Sequence, residues 1–495
     1  MKTIPDMIEK VARENAARTA IVEDETVITY EELWLRIKTM AQQLYECGVR
    51  KGDSVGLLLP NSADFVTGYF SIIALGAIVV PMNDHYQHND LLYFMRACNV
   101  SHMVTSVKFA PLCNKVLVDY DNRCTTFYTD SGEVPPHRYS YQPLGTIEID
   151  PHSPVMYQFS SGSTGTPKKI ARTHNNLLLE LASLHETLQV TNDDRFIGVA
   201  PFSHVNGMMR SMMNSISAGA ALYPVPSFKR QAVAALIEHH QISVFIAVPF
   251  MFSMLAEANF RTAPNFSSLR YCISASAPVP IKSNQLFFEK FGMHIRQLYG
   301  STETGTISVN LHPEITDSLA AVGTPLHGVE VNVVTEQGIS AEPDEMGELV
   351  VKSPFMISGY EGLDEVNRKD FRNGCFYTGD LGKKGRDGLL YLLGRKKFFI
   401  NRGGYKIDPR QIEEVLEGHP HVKEVVAVGL PTVYGDETVK AVVVVSEPCT
   451  AAEMVEFCRG KIADFKIPSI VEFRDSLPKS PTGKIRRMML LDSES

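Results

Sequence analysis

Several kinds of segment are missing or scarce in this sequence. Its eight cysteines are scattered singly, without any Cys-x-x-Cys pair, and this argues against a disulfide scaffold and favours a reduced, cytoplasmic protein with buried thiols. The longest apolar stretches, such as Phe70–Pro81, are too short to cross a bilayer, and the acidic N-terminus lacks the apolar core of a signal peptide. The formal net charge of −8 argues against a general nucleic-acid binder.

The chain is long, and strand patterns alternate with helix patterns along its first 300 residues. With 495 residues, 44% of them hydrophobic, it exceeds one ordinary core and predicts at least two domains. Up to residue 300, strand patterns such as Ser54–Leu59 and Val244–Val248 alternate with helix patterns such as Ala63–Leu75 and Ala232–His239. This alternation predicts an α/β fold of layered, mostly parallel sheets, in which ligands bind at the carboxyl ends of the strands.

The pattern changes after about residue 320. Short alternating strands at Glu330–Val334 and Gly347–Lys352 predict a small β-rich subdomain. Helix patterns at Pro409–Leu416 and Met454–Ile462 and a strand pattern at Val439–Val445 then predict a compact α+β piece. We therefore place a large N-terminal domain at residues 1–394 and a small C-terminal domain at residues 395–495.

The segment Ser160–Lys168, Ser-Ser-Gly-Ser-Thr-Gly-Thr-Pro-Lys, is the most informative in the chain. Its glycines allow a tight turn and close approach to a ligand, and backbone N–H groups and hydroxyls can wrap a polyphosphate while Lys168 adds charge. A flexible linker is the alternative. It is not a Walker loop, because Pro167 stands where that motif requires glycine before its lysine.

Four further turns carry polar side chains suited to a nucleotide. The segment Gln297–Gly305 offers an aromatic ring, a hydroxyl and the carboxylate of Glu303, a ligand type that Mg²⁺ prefers. Asp380 lies on a tight turn and suits a ribose diol, Arg395 supplies a guanidinium, and Lys484 lies on a loop near the end of the chain. Each alone is compatible with a solvated turn residue, so their joint presence with the phosphate loop decides the interpretation.

These segments together resemble the acyl-adenylate-forming superfamily, which includes acyl- and aryl-CoA ligases, adenylation enzymes and luciferases. The resemblance spans the whole chain, from Ile28–Leu33 and Gly76–Pro81 to Pro478–Arg487. It implies an enzyme, an AMP-forming acid–thiol ligase, whose small C-terminal domain is mobile. A carboxylate attacks ATP with Mg²⁺ to give an acyl-adenylate and pyrophosphate, and a thiol then takes the acyl group.

The resemblance also implies a role for each matching residue. The catalytic residues are Lys484, Thr302, Glu303 and His204, with Thr302 bonding the α-phosphate and Glu303 as the metal ligand. The nucleotide-binding residues are Ser160, Ser161, Gly162, Ser163, Thr164, Gly165, Lys168, Ser274, Ala275, Ser276, Ala277, Pro278, Tyr299, Gly300, Ser301, Asp380 and Arg395. Of these, Tyr299 and the turn Ser274–Pro278 flank the adenine. Lys397 is the hinge, and Arg402, Gly403 and Gly404 face the thiol acceptor in the second half-reaction.

The acid pocket is implied by the segment Pro201–Gly207 and by Gly300. His204 lies between the acid and the thiol tunnel, and Val205 and Asn206 line the pocket. No aspartate stands near them to bind an amino acid's ammonium group. Relatives specific for acetate have tryptophan where Gly300 stands, so we expect open space there and an acid larger than acetate, aryl or polar. The neighbouring methionines, from Met208 to Met213, are interpreted as core residues.

The acceptor is left open. Coenzyme A is one possibility, and the phosphopantetheine of a carrier protein is the other. Segment Ile400–Ile407 resembles members that activate aryl acids and small dicarboxylic acids, but many of these have glutamate where Tyr405 stands. A non-enzymatic adenylate-binding protein and an oxygenase of the luciferase type remain as further alternatives.

Overall fold

The computed structural model describes residues 2–121, 123–130, 147–160, 167–402, 405–431, 437–479 and 485–491. Within these ranges, only the backbone is described for Lys397, Asn401, Tyr405, Lys406 and Met488. The chain divides into two compact units. The first comprises Met1–Glu330 and Lys352–Gly374, and the second comprises Val331–Val351 and Cys375–Ser495. The proposed domain boundary at residue 395 stays a prediction.

The first unit contains two sheets with helices between their strands. Its strands are β1 (Thr19–Glu23), β2 (Thr26–Thr29), β3 (Ser54–Leu58), β4 (Ile78–Met82), β5 (Val100–Thr105), β6 (Thr125–Tyr128), β7 (Pro154–Ser160), β8 (Lys168–Thr173), β9 (Arg195–Gly198), β10 (Ala221–Pro224), β11 (Val244–Ala247), β12 (Tyr271–Ser274), β13 (Arg296–Ser301), β14 (Gly305–Val309) and β15 (Ala321–Pro325). One sheet has the order β6-β5-β3-β4-β7-β8, and the other has β15-β14-β13-β12-β11-β9-β10-β1-β2.

Parallel pairing dominates both of these sheets. Strands β3, β4, β5, β6 and β7 pair in parallel, and so do β1 and β9 to β13. Antiparallel strands are added at the edges, where β8 pairs with β7 and β14 with β13. The predicted α/β class is confirmed, and its physical signature is visible in β3, all of whose residues are buried because both sheet faces are covered.

Several of the α-helices of this unit begin at a side-chain cap. They are α1 (Ile4–Glu14), α2 (Tyr30–Glu46), α3 (Ala63–Ala74), α4 (His88–Cys98), α5 (Ala110–Asp119), α6 (His174–Leu188), α7 (Asn214–Ala218), α8 (Arg230–His239), α9 (Pro249–Ala256), α10 (Ile281–Phe291) and α11 (Asp364–Asp370). Thr173 caps α6 by accepting a hydrogen bond from the Asn176 amide. A π-helix, Asn206–Met213, precedes α7, and such segments occur frequently at functional sites.

The second unit is smaller and mostly β. It contains β16 (Glu330–Val334), β17 (Gly347–Lys352), β19 (Cys375–Lys384), β20 (Leu390–Arg395), β21 (Ile400–Arg402), β22 (Tyr405–Ile407), β23 (Val422–Pro431), β24 (Glu437–Val445) and β25 (Ile470–Phe473), while β18 (Phe371–Arg372) lies in the first unit. Its helices are α12 (Pro409–Glu417) and α13 (Ala451–Cys458). Strands β23 and β24 pair antiparallel, and β24 and β25 pair in parallel, over a core that includes Ile412 and Met454.

Two sequence-based expectations about the fold need correction. The last helix ends at Cys458 rather than at Ile462, because Arg459 adopts extended backbone. Not all cysteines are buried: Cys47 is exposed, and Cys449 is partly exposed. Buried Cys98 and Cys113 fit the expectation, since burial raises the pKa of their thiols to about 12 and about 11. Among the described residues, no helix is both long enough and apolar enough to cross a membrane.

Candidate active site

The predicted phosphate loop joins two antiparallel strands of the first unit. Ser160 ends β7, Lys168 begins β8, and the two residues are directly opposite each other in the pairing. The Ser160 hydroxyl is buried and has no hydrogen-bond partner among the described residues. Ser161, Gly162, Ser163, Thr164 and Gly165 lie outside the described residues. Ser160 and Lys168 therefore mark the two ends of the predicted phosphate loop, on paired positions of two antiparallel strands.

Lys168 is held near this base by an ion pair and an aromatic ring. Its Nζ lies 3.1 Å from Oδ2 of Asp370, with the side chains 14% and 21% exposed. The same Nζ lies 4.3 Å from the centre of the Tyr360 ring, within the range of a cation–π contact. The neighbouring Lys169 pairs separately with Glu361 at 2.6 Å. The extra lysine after the phosphate lysine is therefore balanced by its own carboxylate.

Tyr360 also connects Lys168 to the predicted metal ligand. Its hydroxyl donates to Oε1 of Glu303 over 2.9 Å, and the side chain of Glu303 is buried. The Ile357 amide donates to the Glu303 carbonyl oxygen at 2.9 Å, which holds this residue between β13 and β14. Tyr360 thus joins the predicted phosphate lysine and the predicted metal ligand. Sequence reasoning missed Tyr360, since no motif marks it.

The donor set around Glu303 fits a hard cation that arrives with a phosphate. One oxygen of its carboxylate accepts from Tyr360. In the described part of the chain, no group of three or more His, Cys, Asp or Glu side chains could hold a metal ion. Mg²⁺ is commonly bound by one or two carboxylates, with waters and substrate phosphates as its other ligands. A single buried carboxylate beside Lys168 matches that mode.

The predicted adenine residues lie on adjacent parallel strands. Ser274 ends β12 opposite Gln297 of β13, the strand that carries Tyr299. Gln297 fixes the following turn, because its Oε1 accepts from the Val279 amide at 3.1 Å. The turn contains exposed Ser276, Ala277 and Pro278 and buried Ala275, and Ser276 has a left-handed φ of 79°. Tyr299 is buried at 7% exposure. The structure therefore brings these predicted residues together.

Asp380 and Arg395 form a pair within the second unit. They are opposite each other on β19 and β20, and Arg395 Nε lies 2.5 Å from Asp380 Oδ1. The Asp380 amide donates to the Thr378 hydroxyl at 3.0 Å, which fixes the turn before it. The two side chains predicted to hold a ribose are thus neighbours, brought together by strand pairing from positions fifteen residues apart in the chain.

His204 lines a pocket of the first unit. The other lining residues are Val80, Pro81, Tyr86, Phe94, Gln158, Phe159, Ser203, Val205 and Thr302. Burial lowers the pKa of His204 to about 4, so its imidazole is neutral at pH 7. The Nε2 atom of the ring lies 3.5 Å from Nδ2 of Asn83. The predicted pocket residues His204 and Val205 therefore share one pocket with the predicted α-phosphate residue Thr302.

The space beside Gly300 is not open as expected. A Cβ atom on Gly300 would lie 2.6 Å from Nη2 of Arg210 and 2.5 Å from the carbonyl oxygen of Gly305. Both distances are too short for any side chain, so packing requires glycine here. The expectation of free space in that direction is wrong, because Arg210 already occupies it. The methionines around Arg210 are fully buried, which confirms them as core residues.

Arg210 belongs to a buried polar network under β13 and β14. Its Nη1 donates to Oδ1 of Asn206 at 3.3 Å, and its Nε donates to the Thr306 hydroxyl at 3.1 Å. Glu180 accepts from the amide and hydroxyl of Thr306 at 2.9 Å each, and from Nη2 of Arg172 at 2.7 Å. Sequence reasoning missed the network. An arginine among four methionines, directly after a pocket segment, was the available signal.

The remaining predicted residues lie in the second unit or outside the described residues. Nη1 of Arg402 donates to the carbonyl oxygens of Phe465 and Ile467, both at 3.1 Å, which fixes the end of β21. Gly403, Gly404 and Lys484 lie outside the described residues. The backbone of Lys397 lies in a short 3-10 turn, Lys396–Phe398, directly after β20. Their proposed roles stay predictions.

Comparison with known proteins agrees with this geometry. The family model described as AMP-binding enzyme matches residues 8–361, and that described as AMP-binding enzyme C-terminal domain matches residues 411–484. The chain therefore belongs to the AMP-binding enzyme family. The predicted resemblance is confirmed, and so, at the level of the family, is the prediction of an acid–thiol ligase.

Individual relatives cover the chain from end to end. A long-chain-fatty-acid–CoA ligase of Bacillus subtilis is 29% identical over 100% of this chain and 95% of its own length. A structure of ATP-bound MatB from Rhodopseudomonas palustris has a TM-score of 0.90 at 25% identity, covering 99% and 98% of the two chains. O-succinylbenzoate coenzyme A synthetase of Bacillus subtilis, solved with ATP and magnesium ion, has a TM-score of 0.87 at 28% identity, covering 98% and 99%.

Proposed function

We propose that this protein activates a carboxylic acid with ATP and transfers the acyl group to coenzyme A. The acid oxygen attacks the α-phosphorus of ATP, the bond to the β-phosphate oxygen breaks, and pyrophosphate leaves. The thiol of coenzyme A then attacks the acyl carbon of the adenylate and releases AMP. The observation that carries the proposal is the cluster of Lys168, Tyr360 and Glu303, together with Thr302 in a pocket with His204.

In the first step, two anions must meet, so positive charge is needed where negative charge develops. Lys168 would bind the outer phosphates, after exchanging Asp370 for a phosphate oxygen. Thr302 would donate to the α-phosphate. Bound magnesium would neutralise phosphate charge, and Tyr360 would orient the Glu303 carboxylate that holds it. Relatives solved with ATP, and with ATP and magnesium ion, support this assignment.

His204 would act in this pocket as a neutral group. Because burial holds its pKa near 4, the imidazole adds no charge that would compete with Lys168 for the acid or the phosphates. Asn83, at 3.5 Å from Nε2, holds the ring in place. The neutral ring can then separate the acid from the approaching thiol.

For the residues of the C-terminal part of the chain, we propose the first-step and second-step roles that the family resemblance implies. Lys484 would bridge the attacking carboxylate and the α-phosphate, and Asp380 with Arg395 would bind the ribose hydroxyls. Rotation of the C-terminal domain about Lys397 would then replace Lys484 by the segment of Arg402, Gly403 and Gly404. The acid is proposed to be larger than acetate, in line with the acids that the names of the long-chain-fatty-acid–CoA ligase and 2-succinylbenzoate–CoA ligase relatives give. A cytoplasmic location is part of the proposal, supported by the buried thiols of Cys98, Cys113 and Cys272.

A carrier-protein phosphopantetheine is the second candidate acceptor. Its support is Tyr405, which departs from the glutamate common in similar CoA ligases and lies next to the predicted thiol-facing segment. The relatives named as CoA ligases favour coenzyme A. A non-enzymatic adenylate-binding role is disfavoured by Glu303, whose tethered carboxylate matches a cation ligand.

The test is acid-dependent exchange between ATP and labelled pyrophosphate, with Mg²⁺ and no thiol, over aryl, fatty, dicarboxylic and amino acids. Exchange with one acid class, followed by acyl-CoA formation when coenzyme A is added, supports the proposal. Exchange without acyl-CoA formation favours the carrier-protein acceptor. Absence of exchange with every acid would contradict the adenylation function itself.

A second assay separates the two half-reactions. We expect Lys484→Ala to lower the exchange rate by roughly 10²–10³-fold, by analogy with the loss of an oxyanion-stabilising donor, while thioester formation from a supplied acyl-adenylate is largely retained. Arg487→Ala is the matched control. Arg487 binds both oxygens of Glu413 at 2.6 and 2.8 Å and should affect folding of the second unit rather than one half-reaction. Equal loss of both half-reactions in Lys484→Ala would contradict the two-conformation scheme.

A further inference from the structure

Three ionised side chains are buried together in the first unit. Arg172 and Glu180 are 0% exposed, and Arg210 is 4% exposed. Two of them are cationic and one is anionic, so the cluster holds one uncompensated positive charge. Burying a charge without a partner is unfavourable even after the surroundings relax, because the lost hydration is not replaced. An anion that reaches this cluster from outside the chain would therefore be stabilised.

Glu180 does not compensate both arginines through hydrogen bonds. Its Oε2 accepts from Arg172, and its Oε1 accepts twice from Thr306. Burial would raise the pKa of Glu180, but the two guanidinium charges and these hydrogen bonds outweigh it and hold the pKa below its ordinary value. Burial lowers the pKa of Arg210 to about 10, so both groups are ionised at pH 7. Arg210 is thus attracted to Glu180 without bonding to it.

The guanidinium of Arg210 has one end fixed and one end unused. Its Nε and Nη1 donate to Thr306 and Asn206. Within the part of the chain that the structure describes, no hydrogen bond uses Nη2, the atom that lies beside Gly300. The amide Nδ2 of Asn206, a side chain only 6% exposed, is also buried without a partner there. Two adjacent, bonded side chains therefore each carry a donor that has no acceptor among the described residues.

These donors lie next to the acid pocket. Asn206 directly follows Val205, which lines that pocket together with His204 and Thr302. Gly300 lies two residues before Thr302 on the other side. Asn206 and Arg210 are four residues apart on the π-helix, and the hydrogen bond between their side chains shows that they lie on one face of it. One donor therefore belongs to a chain segment that lines the pocket, and the other lies beside Gly300 of the second such segment.

We propose that Arg210, together with Asn206, binds the second carboxylate of a dicarboxylic acid whose first carboxylate is activated. The inference rests on the proposed acid-activating function and narrows its substrate class. A carboxylate can accept from Nη2 and from the Asn206 amide at once, which satisfies both donors and balances the buried charge. A neutral acyl tail would leave the cation and the amide unpaired in a dry site, and sites of that kind reject such analogues strongly.

The substrate comparison tests this without any variant. Exchange between ATP and pyrophosphate is measured for unbranched α,ω-dicarboxylic acids of three to eight carbons and for the half methyl ester of each. At the preferred length, we expect kcat/KM for the diacid to exceed that for its half ester by at least about 100-fold. Equal kcat/KM for diacids, half esters and fatty acids would overturn the inference while leaving the adenylation function standing.

Variants assign the effect to Arg210. Arg210→Met, which keeps the length and removes the charge, should lower kcat/KM for the diacid by about 100-fold, change the half-ester value by less than about threefold, and leave the KM for ATP unchanged. Arg210→Lys should retain part of the diacid preference. Arg296→Met is the matched control, because Arg296 lies on β13, the strand that carries Gly300, but donates to the backbone carbonyls of Asn310 and His312. It should leave the diacid preference intact.

Failure of the diacid inference and failure of the proposed adenylation function give different results in these assays. An equal loss for all acids in Arg210→Met, with the thermal midpoint and the KM for ATP unchanged, would show that Arg210 serves the reacting carboxylate instead and would overturn the inference. An unaltered diacid preference in the same variant would overturn it as well. If Arg210→Met fails to fold, the wild-type comparison of diacids with half esters decides alone. Absence of exchange with every acid would contradict the proposed function, and the inference with it.

Discussion

The hydroxyl of Tyr360 donates a hydrogen bond to the carboxylate of Glu303 over 2.9 Å, although 57 residues separate the two in the chain. The ring of the same tyrosine lies 4.3 Å from the ammonium group of Lys168. One side chain therefore sets the positions of a carboxylate and a cation that we assign to magnesium and to phosphate. Oriented charge of this kind is the main requirement for transfer at phosphorus.

Removing the Tyr360 hydroxyl should loosen the proposed metal ligand. We expect Tyr360→Phe to raise the magnesium concentration needed for half-maximal exchange by about fivefold, corresponding to about 1 kcal/mol for one hydrogen bond to a charged group. The measurement is exchange rate against magnesium at saturating ATP. Tyr120→Phe, which loses a hydrogen bond to the Met95 carbonyl, should show no such shift. An unchanged magnesium curve in Tyr360→Phe would remove Tyr360 from the site.

The ion pair between Lys168 and Asp370 should compete with the nucleotide. Because Lys168 is proposed to release Asp370 when it binds phosphate, we expect Asp370→Asn to lower the KM for ATP by about threefold, the equivalent of a partly exposed pair worth below 1 kcal/mol. Glu361→Gln removes the analogous partner of Lys169 and should leave this KM unchanged. The check is the KM for ATP in the exchange assay, and a rise in Asp370→Asn would contradict the competition.

Glu180 should be important for stability because it separates two buried guanidinium groups. Glu180→Gln leaves Arg172 and Arg210 buried without an anion, and we expect a loss of about 3–5 kcal/mol in the free energy of unfolding. The free energy of unfolding is measured from the first transition in a urea titration. The control is Glu186→Gln on the same helix, where the side chain is 58% exposed and faces His327, and where the change should stay below about 0.5 kcal/mol. Similar effects of both substitutions would argue against the buried network.

His174 should make stability depend on acid pH. It is 1% exposed, and its Nδ1 accepts from the Ile4 amide at 3.2 Å. Burial lowers its pKa to about 4 from an ordinary value of 6.5, so between these values the unfolded chain binds a proton that the folded chain does not. Stability therefore rises with pH across this window and is fully present above pH 6.5, with a contribution of about 3 kcal/mol relative to pH 4.

The His174 contribution can be isolated by substitution. We expect His174→Asn, which offers an oxygen to the same amide, to lose much less stability than the wild type between pH 7 and pH 4. Urea midpoints at half-unit pH intervals give the two curves, and the control is His152→Asn, an exposed residue whose curve should follow the wild type. Parallel curves for His174→Asn and the wild type would show that this histidine titrates normally in the folded protein.

Much of the architecture was predictable because it depends on local pattern. The predicted strand Ser54–Leu59 and the predicted helix Ala63–Leu75 each differ from the structure by one residue at the end, since a buried parallel strand and a capped apolar helix leave clear periodicities. The helix end at Cys458 was missed, although Gly460, two residues further on with a left-handed φ of 71°, was an available signal. The exact end of an element is the least certain part of such a prediction.

In the candidate site, too, features that depend on local sequence were predictable, and features that depend on tertiary contacts were not. The sequence by itself determined the family and the residue types that meet a nucleotide, because a glycine- and hydroxyl-rich loop and turn-borne charges require particular residues at particular positions. Only the tertiary structure decided that Tyr360 links Lys168 to Glu303, and that Arg210 fills the space beside Gly300. These relationships join residues far apart in the chain through burial and charge balance, which have no sequence period and no fixed spacing.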